Sequence, residues 1–480
     1  MKKVLIILGI ALYQLLAGWP VRAQVPVPEP ARNMARLVLD DSTYVHVLMG
    51  VHGENGDFEE KDIFMPESML RGTMDAYSRQ TLDKVHLFGH FGYSYELGKR
   101  STWRGWIDPY ETPFMLADSI PGDISIERYA MQAGMAMPLG NGWSAGLDLS
   151  YNVALLAKHK DLRNKNTGMD FRVAPGIHWQ GGHMGAGLDL GYERGTEKVE
   201  YSQESSSVEH VLFSIYGCWV GQGFGFGSAE TKRLKEDDRL FGDFQTDFEW
   251  GPVALHNNLG MKWEQERQTE TGYNNLQHGT VRAWFWRDDL SLSIGDRHTI
   301  DAGFSWCTMQ GFRPLQQQEL DPDSKIRIWV TYGDPVFCYF RAYHEEYFRY
   351  TFGSFWKLSV GAENLRFRHS YTEYPKRFEQ RVSMVTPSLR LEIPIGPAWH
   401  LSAETGYTIN YEEEHDISHW QLPEPLMRQI NFWTGDSISS RLTVTWTHGR
   451  MTLGADYGMD AATAFDGFRH TASLTASFSF

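Results

Sequence analysis

The sequence predicts an all-β protein, a single antiparallel transmembrane β-barrel of roughly 16 strands, within a range of about 14 to 18, preceded by a signal peptide. Three observations carry this prediction. Strands with one apolar and one polar face recur along the chain, short turns alternate with long loops, and the chain ends in an alternating strand that finishes on Phe480. No apolar run after the N-terminus approaches the roughly 20 residues that a membrane-spanning helix needs.

The N-terminus has the pattern of a secretory signal peptide. Met1-Lys2-Lys3 is basic, residues 4–16 are mostly apolar, and the small residue Ala23 precedes the expected cleavage site. The apolar run is too short to span a bilayer comfortably, which disfavours a retained anchor helix. We therefore predict three segments: a signal peptide at 1–23, a flexible leader at 24–41 and an outer-membrane β-barrel at 42–480.

Composition excludes some classes of protein. A formal net charge of −15 disfavours nonspecific binding to nucleic acid, because such binding needs Lys and Arg against phosphates. The mean hydropathy of −0.41 is compatible with a barrel, since only alternate residues of each strand face lipid. Cys218, Cys307 and Cys338 are too few for a disulfide framework. We interpret them as small apolar residues of strands, with one bridge left open.

Alternation with a period of two is clear at 85–97, where odd positions are mostly apolar and even positions are largely His, Gly, Ser and Glu. It returns at 143–153, 184–192 and 399–411. A soluble periplasmic β-protein, the main structural alternative, also alternates. Here, however, Trp, Tyr and Phe lie near the ends of the apolar faces, as in the interfacial belts of a membrane barrel. The polar face suits a wet lumen better than a dry core.

Connections between strands are of two kinds. Tight turns are predicted at 140–142, 181–182, 251–252, 396–397 and 448–450. Long polar connections are predicted at 158–167, 194–208, 265–275, 313–325 and 412–434. Short turns at one end and long loops at the other are typical of the periplasmic and extracellular ends of outer-membrane barrels.

The last strand places Phe480, Phe478 and Leu474 on one face, with Ser and Thr on the other. This pattern resembles the signal read by the barrel-insertion machinery of Gram-negative outer membranes. We therefore expect that machinery and outer-membrane lipid as partners, and the outer membrane as the location.

Polar residues of the inward phase predict a hydrophilic, porin-like lumen lining. They are His86, His90, Asp148, Asn152, Asp170, Arg172, His178, Asp189, Glu193, His256 and Lys262. Such residues can guide a solute or set selectivity. Alternatively they pair with one another across strands, which is the interpretation that we favour for any single residue.

No catalytic, metal-binding or cofactor-binding residue is predicted. The Gly-x-Ser-x-Gly, His-Glu-x-x-His and P-loop motifs are missing from the sequence. His415, Asp416 and His419 cluster in one long connection, but acidic and His residues in a loop more often form a solvated face. We therefore expect no enzyme and no cofactor.

Four local motifs carry a resemblance to a known family: 88–95 (FGHFGYSY), 113–119 (PFMLADS), 158–164 (KHKDLRN) and 173–177 (VAPGI). They resemble an uncharacterised family of outer-membrane barrels from Bacteroidota, known as a domain of unknown function. Leu162 departs from the Pro expected between Asp and Arg. The resemblance spans about residue 40 to Phe480 and implies a fold and a location, without any functional residue.

Three functions remain open. The first is transport, as a channel or as an accessory to a larger uptake receptor. The second is a surface structural or interaction protein whose long loops bind a partner, which a lumen filled by inward loops would favour. The third is a barrel enzyme acting on lipid or peptide. A TonB-dependent receptor is disfavoured, because the 480 − 23 = 457 residues after the expected cleavage leave no room for a globular plug and a barrel of roughly 22 strands.

Overall fold

The computed structural model describes residues 33–480 except for ten gaps. These are 57–62, 205–209, 219–220, 227–230, 272–275, 324, 326, 374–375, 419–423 and 463–467. The predicted signal peptide and residues 24–32 of the predicted leader lie outside the described residues.

Eighteen antiparallel strands form one closed barrel, at the upper end of the predicted range. Each strand pairs with the next barrel strand in sequence, and the first pairs with the last. The barrel strands are β1 (Tyr44–Gly56), β2 (Ser68–Leu82), β3 (Val85–Ser101), β5 (Gly122–Gly140), β6 (Trp143–Lys158), β7 (Arg163–Gly181), β8 (Met184–Ser202), β11 (Thr231–Trp250), β12 (Val253–Thr271), β13 (Gln277–Ile294), β14 (His298–Arg313), β17 (Val336–Phe352), β18 (Lys357–Glu373), β19 (Lys376–Ile395), β20 (Trp399–Ser418), β21 (Ser437–His448), β22 (Met451–Ala462) and β23 (Phe468–Ser479).

Smaller elements lie in the connections and before the first strand. They are a 3-10 helix (Met34–Leu39), β4 (Met115–Ala117), β9 (His210–Ile215), β10 (Gly221–Phe226), β15 (Gln316–Leu320), β16 (Arg327–Thr331) and α1 (Glu424–Thr434). β4, β9 and β10 form a three-stranded sheet, and β15 and β16 form a hairpin. Neither of the helices among the described residues has the length and apolar character needed to cross a membrane.

All five predicted tight turns join neighbouring strands at one end of the barrel, which we call the turn end. Gly142, Gly182, Gly251 and Gly449 have positive φ values there, between 57° and 81°, which L side chains rarely adopt. The start of β1 and the C-terminus lie at the same end, since the Phe480 amide donates to the Val45 carbonyl at 2.8 Å. We call the opposite end the loop end.

The strands extend further toward the loop end than the sequence predicted. Parts of the predicted long connections are therefore strand: β7 begins at Arg163, β8 runs to Ser202, β12 to Thr271 and β20 to Ser418. These extensions are stabilised by ladder hydrogen bonds and by outward ion pairs such as Arg194 with Glu236 at 2.8 Å. Their polar residues predicted loops. These residues instead form strands whose outer surface faces water.

The outer surface near the turn end is apolar. Leu188, Leu190 and Phe244 are exposed there, and Trp143 and Trp399 lie at the edge of this band. Outward charged residues begin only further toward the loop end. An apolar band flanked by aromatic residues is the surface expected of a transmembrane barrel. Phe478, Phe480 and Leu474 of the predicted insertion signal lie on the outward face of this region, and the insertion role itself stays a prediction.

The N-terminal segment, defined here as residues 33–40, lies inside the barrel. Met34, Ala35 and Leu37 are 3% exposed or less and pack beside β5, β6 and β7. These residues belong to the predicted leader and form a 3-10 helix at Met34–Leu39. Their apolar side chains favour this position, because they are removed from water inside the barrel wall.

Candidate lumenal site

All eleven residues predicted to line the lumen lie on the inward face of their strands. Each lies opposite a residue of a neighbouring strand, for example His86 opposite Ala136 and His178 opposite Gly187. That these residues line a water-filled lumen or guide a solute stays a prediction. Several of the eleven are covered by other inward groups, since His178, Asp148 and Asp189 are 3% exposed or less.

Two groups of predicted residues meet at partners that the sequence analysis did not single out. His178 and His256 both approach Asp247, with His256 Nδ1 2.7 Å and His178 Nε2 3.8 Å from its carboxylate. Asp170 and Glu193 both approach Arg239, the Asp170 carboxylate at 3.5 Å. These partners were detectable in principle, because the odd positions of β11 are rich in charge from Arg233 to Asp247.

The other predicted residues lie apart from these groups. His90 Nε2 lies 3.0 Å from Asp75, Arg172 lies 3.8 Å from Asp148, and Lys262 lies over the ring of Phe285 at 4.0 Å. Asn152 and Asp170 both line a cavity of about 500 Å³. Much of the predicted polar lining is therefore engaged in contacts with other inward side chains.

Charged groups form a belt around Arg239 in β11. Its guanidinium contacts Glu193, lies 2.8 Å from Asp237 and 3.4 Å from Glu264, and also approaches Asp170. Several carboxylates around one cation stabilise neighbouring strands, since each would be costly in the interior without a partner. We therefore assign these charged groups a role in stabilising the barrel wall rather than in binding a ligand.

One connection folds into the lumen at the loop end. This inward loop, residues 102–121, contains β4, and its Trp106, Phe114 and Leu116 are fully buried. Trp106 Nε1 donates to the Phe114 carbonyl at 2.8 Å. The side chain of Gln268 in β12 donates to the same carbonyl at 3.0 Å. The wall thus satisfies polar groups of the loop that burial would otherwise leave unpaired.

Charge also holds the inward loop. Lys235 Nζ lies 2.8 Å from Glu111 and 3.5 Å from Glu197, and Glu197 accepts a hydrogen bond from the Ile107 amide at 2.8 Å. Burial alone would raise the pKa of Glu111, but the charges of Lys235 and neighbouring cations outweigh it and lower that pKa. Burial raises the pKa of Asp118 against the opposing charge of Lys158, whose Nζ is 2.6 Å away.

A cavity of about 570 Å³, the aromatic chamber, lies between the inward loop and the wall formed by β13, β14, β17, β18 and β19. Its inward-facing lining is mostly apolar and includes Phe285, Tyr339, Tyr343, Leu365, Phe367, Val382 and Met384. Arg341 and His369 add polar groups to this lining. An apolar cavity with a few convergent polar groups is the usual composition of a small-molecule site.

A second cavity of about 850 Å³, the acidic chamber, lies on the same wall nearer the turn end. Its six carboxylates are Asp247, Asp289, Asp301, Glu345, Glu363 and Glu404, and its three arginines are Arg36, Arg287 and Arg349. Arg287 lines both chambers, so the two adjoin along the wall. Together they form the candidate site.

The acidic and His cluster of the long connection lies in an exposed strand. His415 lies 3.7 Å from Glu413, and Asp416 lies 3.7 Å from Arg377. His419 is outside the described residues. Within the described ranges, no three or more His, Cys, Asp or Glu residues are grouped to hold a metal ion. The three cysteines are free and buried, and Cys218 lies in the bend after β9, outside the strands.

The fold and lumen define a transmembrane β-barrel whose interior is largely occupied by its own chain. The protein belongs to the Family of unknown function (DUF6850), whose model matches residues 34–480. This confirms the predicted membership of an uncharacterised family. A comparison with curated proteins finds no match.

Three solved structures that are similar to this chain each share 9% sequence identity with it. The chain is similar to the copper transporter OprC, with a TM-score of 0.46 and coverage of 94% of this chain and 82% of that one. It is also similar to BauA, the ferric preacinetobactin receptor from Acinetobacter baumannii, with a TM-score of 0.44 and coverage of 92% and 80%. The siderophore receptor PirA from Acinetobacter baumannii gives 0.41, with coverage of 92% and 81%.

Proposed function

We propose that this protein binds a small solute in its lumen and transports it across the outer membrane, alone or as an accessory to a larger uptake receptor. The observation that carries the proposal is the pair of adjoining chambers between the inward loop and the N-terminal segment. Chambers in series, bordered by the inward loop at one end and by Arg36 of the N-terminal segment at the other, suit a selective passage better than an open pore.

The location belongs to the same proposal. The apolar outer band requires a membrane, and the signal peptide and terminal phenylalanine pattern are those of proteins inserted into Gram-negative outer membranes. Origin from Bacteroidota follows from the motif resemblance and stays a prediction.

We expect deletion of the inward loop to open the barrel. Ser101 and Gly122 are cross-strand partners, so a short Gly-Ser linker can replace residues 102–121 without separating β3 from β5. In planar lipid bilayers, wild-type protein should give small or rare conductance steps. The deletion variant should give large, steady steps, because the loop no longer fills the loop end of the lumen.

The control shortens the connection that carries the hairpin β15–β16, whose residues are largely exposed and line neither chamber among the described residues. This variant should conduct like wild type. A correctly folded deletion variant that stays silent would reject transport.

A second candidate is a surface interaction protein. The observation that favours it is the filled lumen, together with strands that extend past the apolar band and present outward charges such as Arg194 and Asp238. In that case the inward loop would serve to support the outer loops. Loop-deletion variants that retain the fold but do not conduct would favour this candidate. That the protein is not an enzyme stays a prediction.

A further inference from the structure

The acidic chamber already contains one cation supplied by the N-terminal segment. Arg36 extends from the 3-10 helix and places its NH1 atom 3.0 Å from Asp247 Oδ2 and its NH2 atom 3.2 Å from Oδ1. The barrel wall alone contributes six carboxylates against Arg287 and Arg349. The wall is therefore electronegative, and Arg36 neutralises part of it from outside the sheet.

The N-terminal segment has other anchors, so Arg36 is not required to hold it. The Arg79 guanidinium donates to the Leu37 carbonyl and lies 2.9 Å from Asp40. Asn33 Nδ2 donates to the Ile177 carbonyl at 2.9 Å. Ser144 Oγ donates to the Ala35 carbonyl at 2.8 Å. Because the N-terminal segment is held without the Arg36–Asp247 contact, a ligand can replace Arg36 at Asp247 while the segment stays in place.

Uncommitted hydrogen-bonding capacity faces the same chamber. Gln245 is 4% exposed and lines the chamber, and its Oε1 atom has no donor among the described residues. Asn258, on the neighbouring strand, lines the chamber with buried amide atoms that likewise lack partners within that part of the chain. Buried amides are normally hydrogen-bonded, so a ligand that donates hydrogen bonds would satisfy the side-chain oxygens of Gln245 and Asn258.

We propose that the acidic chamber is a binding site for an organic cation with an apolar body, and that Arg36 occupies the place of its cationic group in the empty protein. This rests on the proposed function and names its substrate class. A protonated amine meets carboxylates and amide oxygens in the acidic chamber, while its apolar body packs against Tyr347 of the same lining and extends toward the aromatic chamber. An anionic solute would be disfavoured, because the carboxylates of this chamber outnumber its arginines.

The exchange couples binding to the N-terminal segment. A second cation at Asp247 would be repelled by the like charge of the Arg36 guanidinium, which already contacts both carboxylate oxygens. The ligand therefore binds at the expense of the Arg36 contact, and its apparent affinity is lowered by the fraction of protein in which Arg36 is seated. Removal of the guanidinium should raise affinity rather than lower it, which distinguishes an internal occupant from an ordinary lining residue.

The test is isothermal titration calorimetry on the full-length protein in detergent micelles, with empty micelles as background. The probes are 2-phenylethylammonium and 3-phenylpropionate, which share a ring and a two-carbon chain and differ in charge. We expect the cation to bind and the anion not to. Arg36→Gln should tighten cation binding by about tenfold, and Arg36→Lys should stay near wild type. Asp247→Asn should weaken it by about tenfold.

The matched control is Asp75→Asn, an inward carboxylate that pairs with His90 and does not line the chamber. It should leave the affinity unchanged. Equal binding of both probes, or Arg36→Gln binding no tighter than wild type, would overturn the proposal. Cation binding by a barrel whose loop-deletion variant is silent would retain the site and reject transport. Conductance without cation binding would reject the site alone.

Discussion

Lys235→Met is expected to release the inward loop from the lumen. Lys235 is 4% exposed and connects Glu111 of the loop with Glu197 of β8. Methionine keeps the length of the side chain but leaves two carboxylates without their shared cation. At the buried Glu197, loss of its partner typically costs about 3 to 5 kcal/mol, whereas the loss at the partly exposed Glu111 is smaller because water screens that charge. The loop is the element that can move to relieve this cost, since the strands are held by ladder hydrogen bonds on both sides.

Limited digestion with chymotrypsin measures the release. Trp106 is fully buried in the wild-type protein and should resist cleavage, whereas the Lys235→Met variant should be cut after Trp106 while the barrel stays intact. The matched control is Lys262→Met, which removes a lysine that pairs with Glu264 of its own strand at 3.3 Å. Cleavage of both variants, or of neither, would contradict the role assigned to Lys235.

The faces of the barrel strands were predictable because their cause is local. A strand alternates its side chains with a period of two, and one face of every barrel strand meets lipid, so apolar and polar phases separate within a few residues. This is why the inward positions of His86, Asp148 and Lys262 followed from the sequence alone. The closed barrel followed as well, because lipid leaves no unpaired sheet edge.

The filling of the lumen was not predictable, because its contacts join distant parts of the chain. Tyr201 donates to the Leu116 carbonyl across 85 residues, and Gln268 donates to the Phe114 carbonyl across 154. The apolar residues of 102–121, among them Trp106, Phe114 and Leu116, indicate that the loop is buried, but they do not indicate which surface covers it. The same holds for Arg36, whose partner Asp247 is 211 residues away.

Glycines in the wall offer a further test, since they form a cradle for the N-terminal segment. A Cβ atom built at Gly134 would lie 2.5 Å from the Met34 sulfur, and one at Gly187 would lie 3.0 Å from Asn33 Nδ2. At Gly146 it would lie 2.5 Å from the Met34 carbonyl carbon and nearer still to the Ala35 nitrogen. These last two are backbone atoms, which cannot turn aside as a side chain can.

We therefore expect Gly146→Val to expel the N-terminal segment from the barrel. β6 is fixed by its register with β5 and β7, so the segment is what gives way. Trypsin should then cut after Arg36 in the folded variant, which mass spectrometry of the released peptide detects. The wild-type protein should resist cleavage there, because Arg36 is engaged with Asp247.

The control for this substitution is Gly72→Val in β2, where an added Cβ would meet nothing within 4 Å. It places the same side chain on the outward face of the barrel and should leave Arg36 protected. Because expulsion also removes the internal cation, Gly146→Val should bind 2-phenylethylammonium as tightly as Arg36→Gln does. A Gly146→Val variant that loses the segment but does not gain affinity for 2-phenylethylammonium would show that Arg36 does not compete for the acidic chamber. The role of the glycines in holding the segment would still stand.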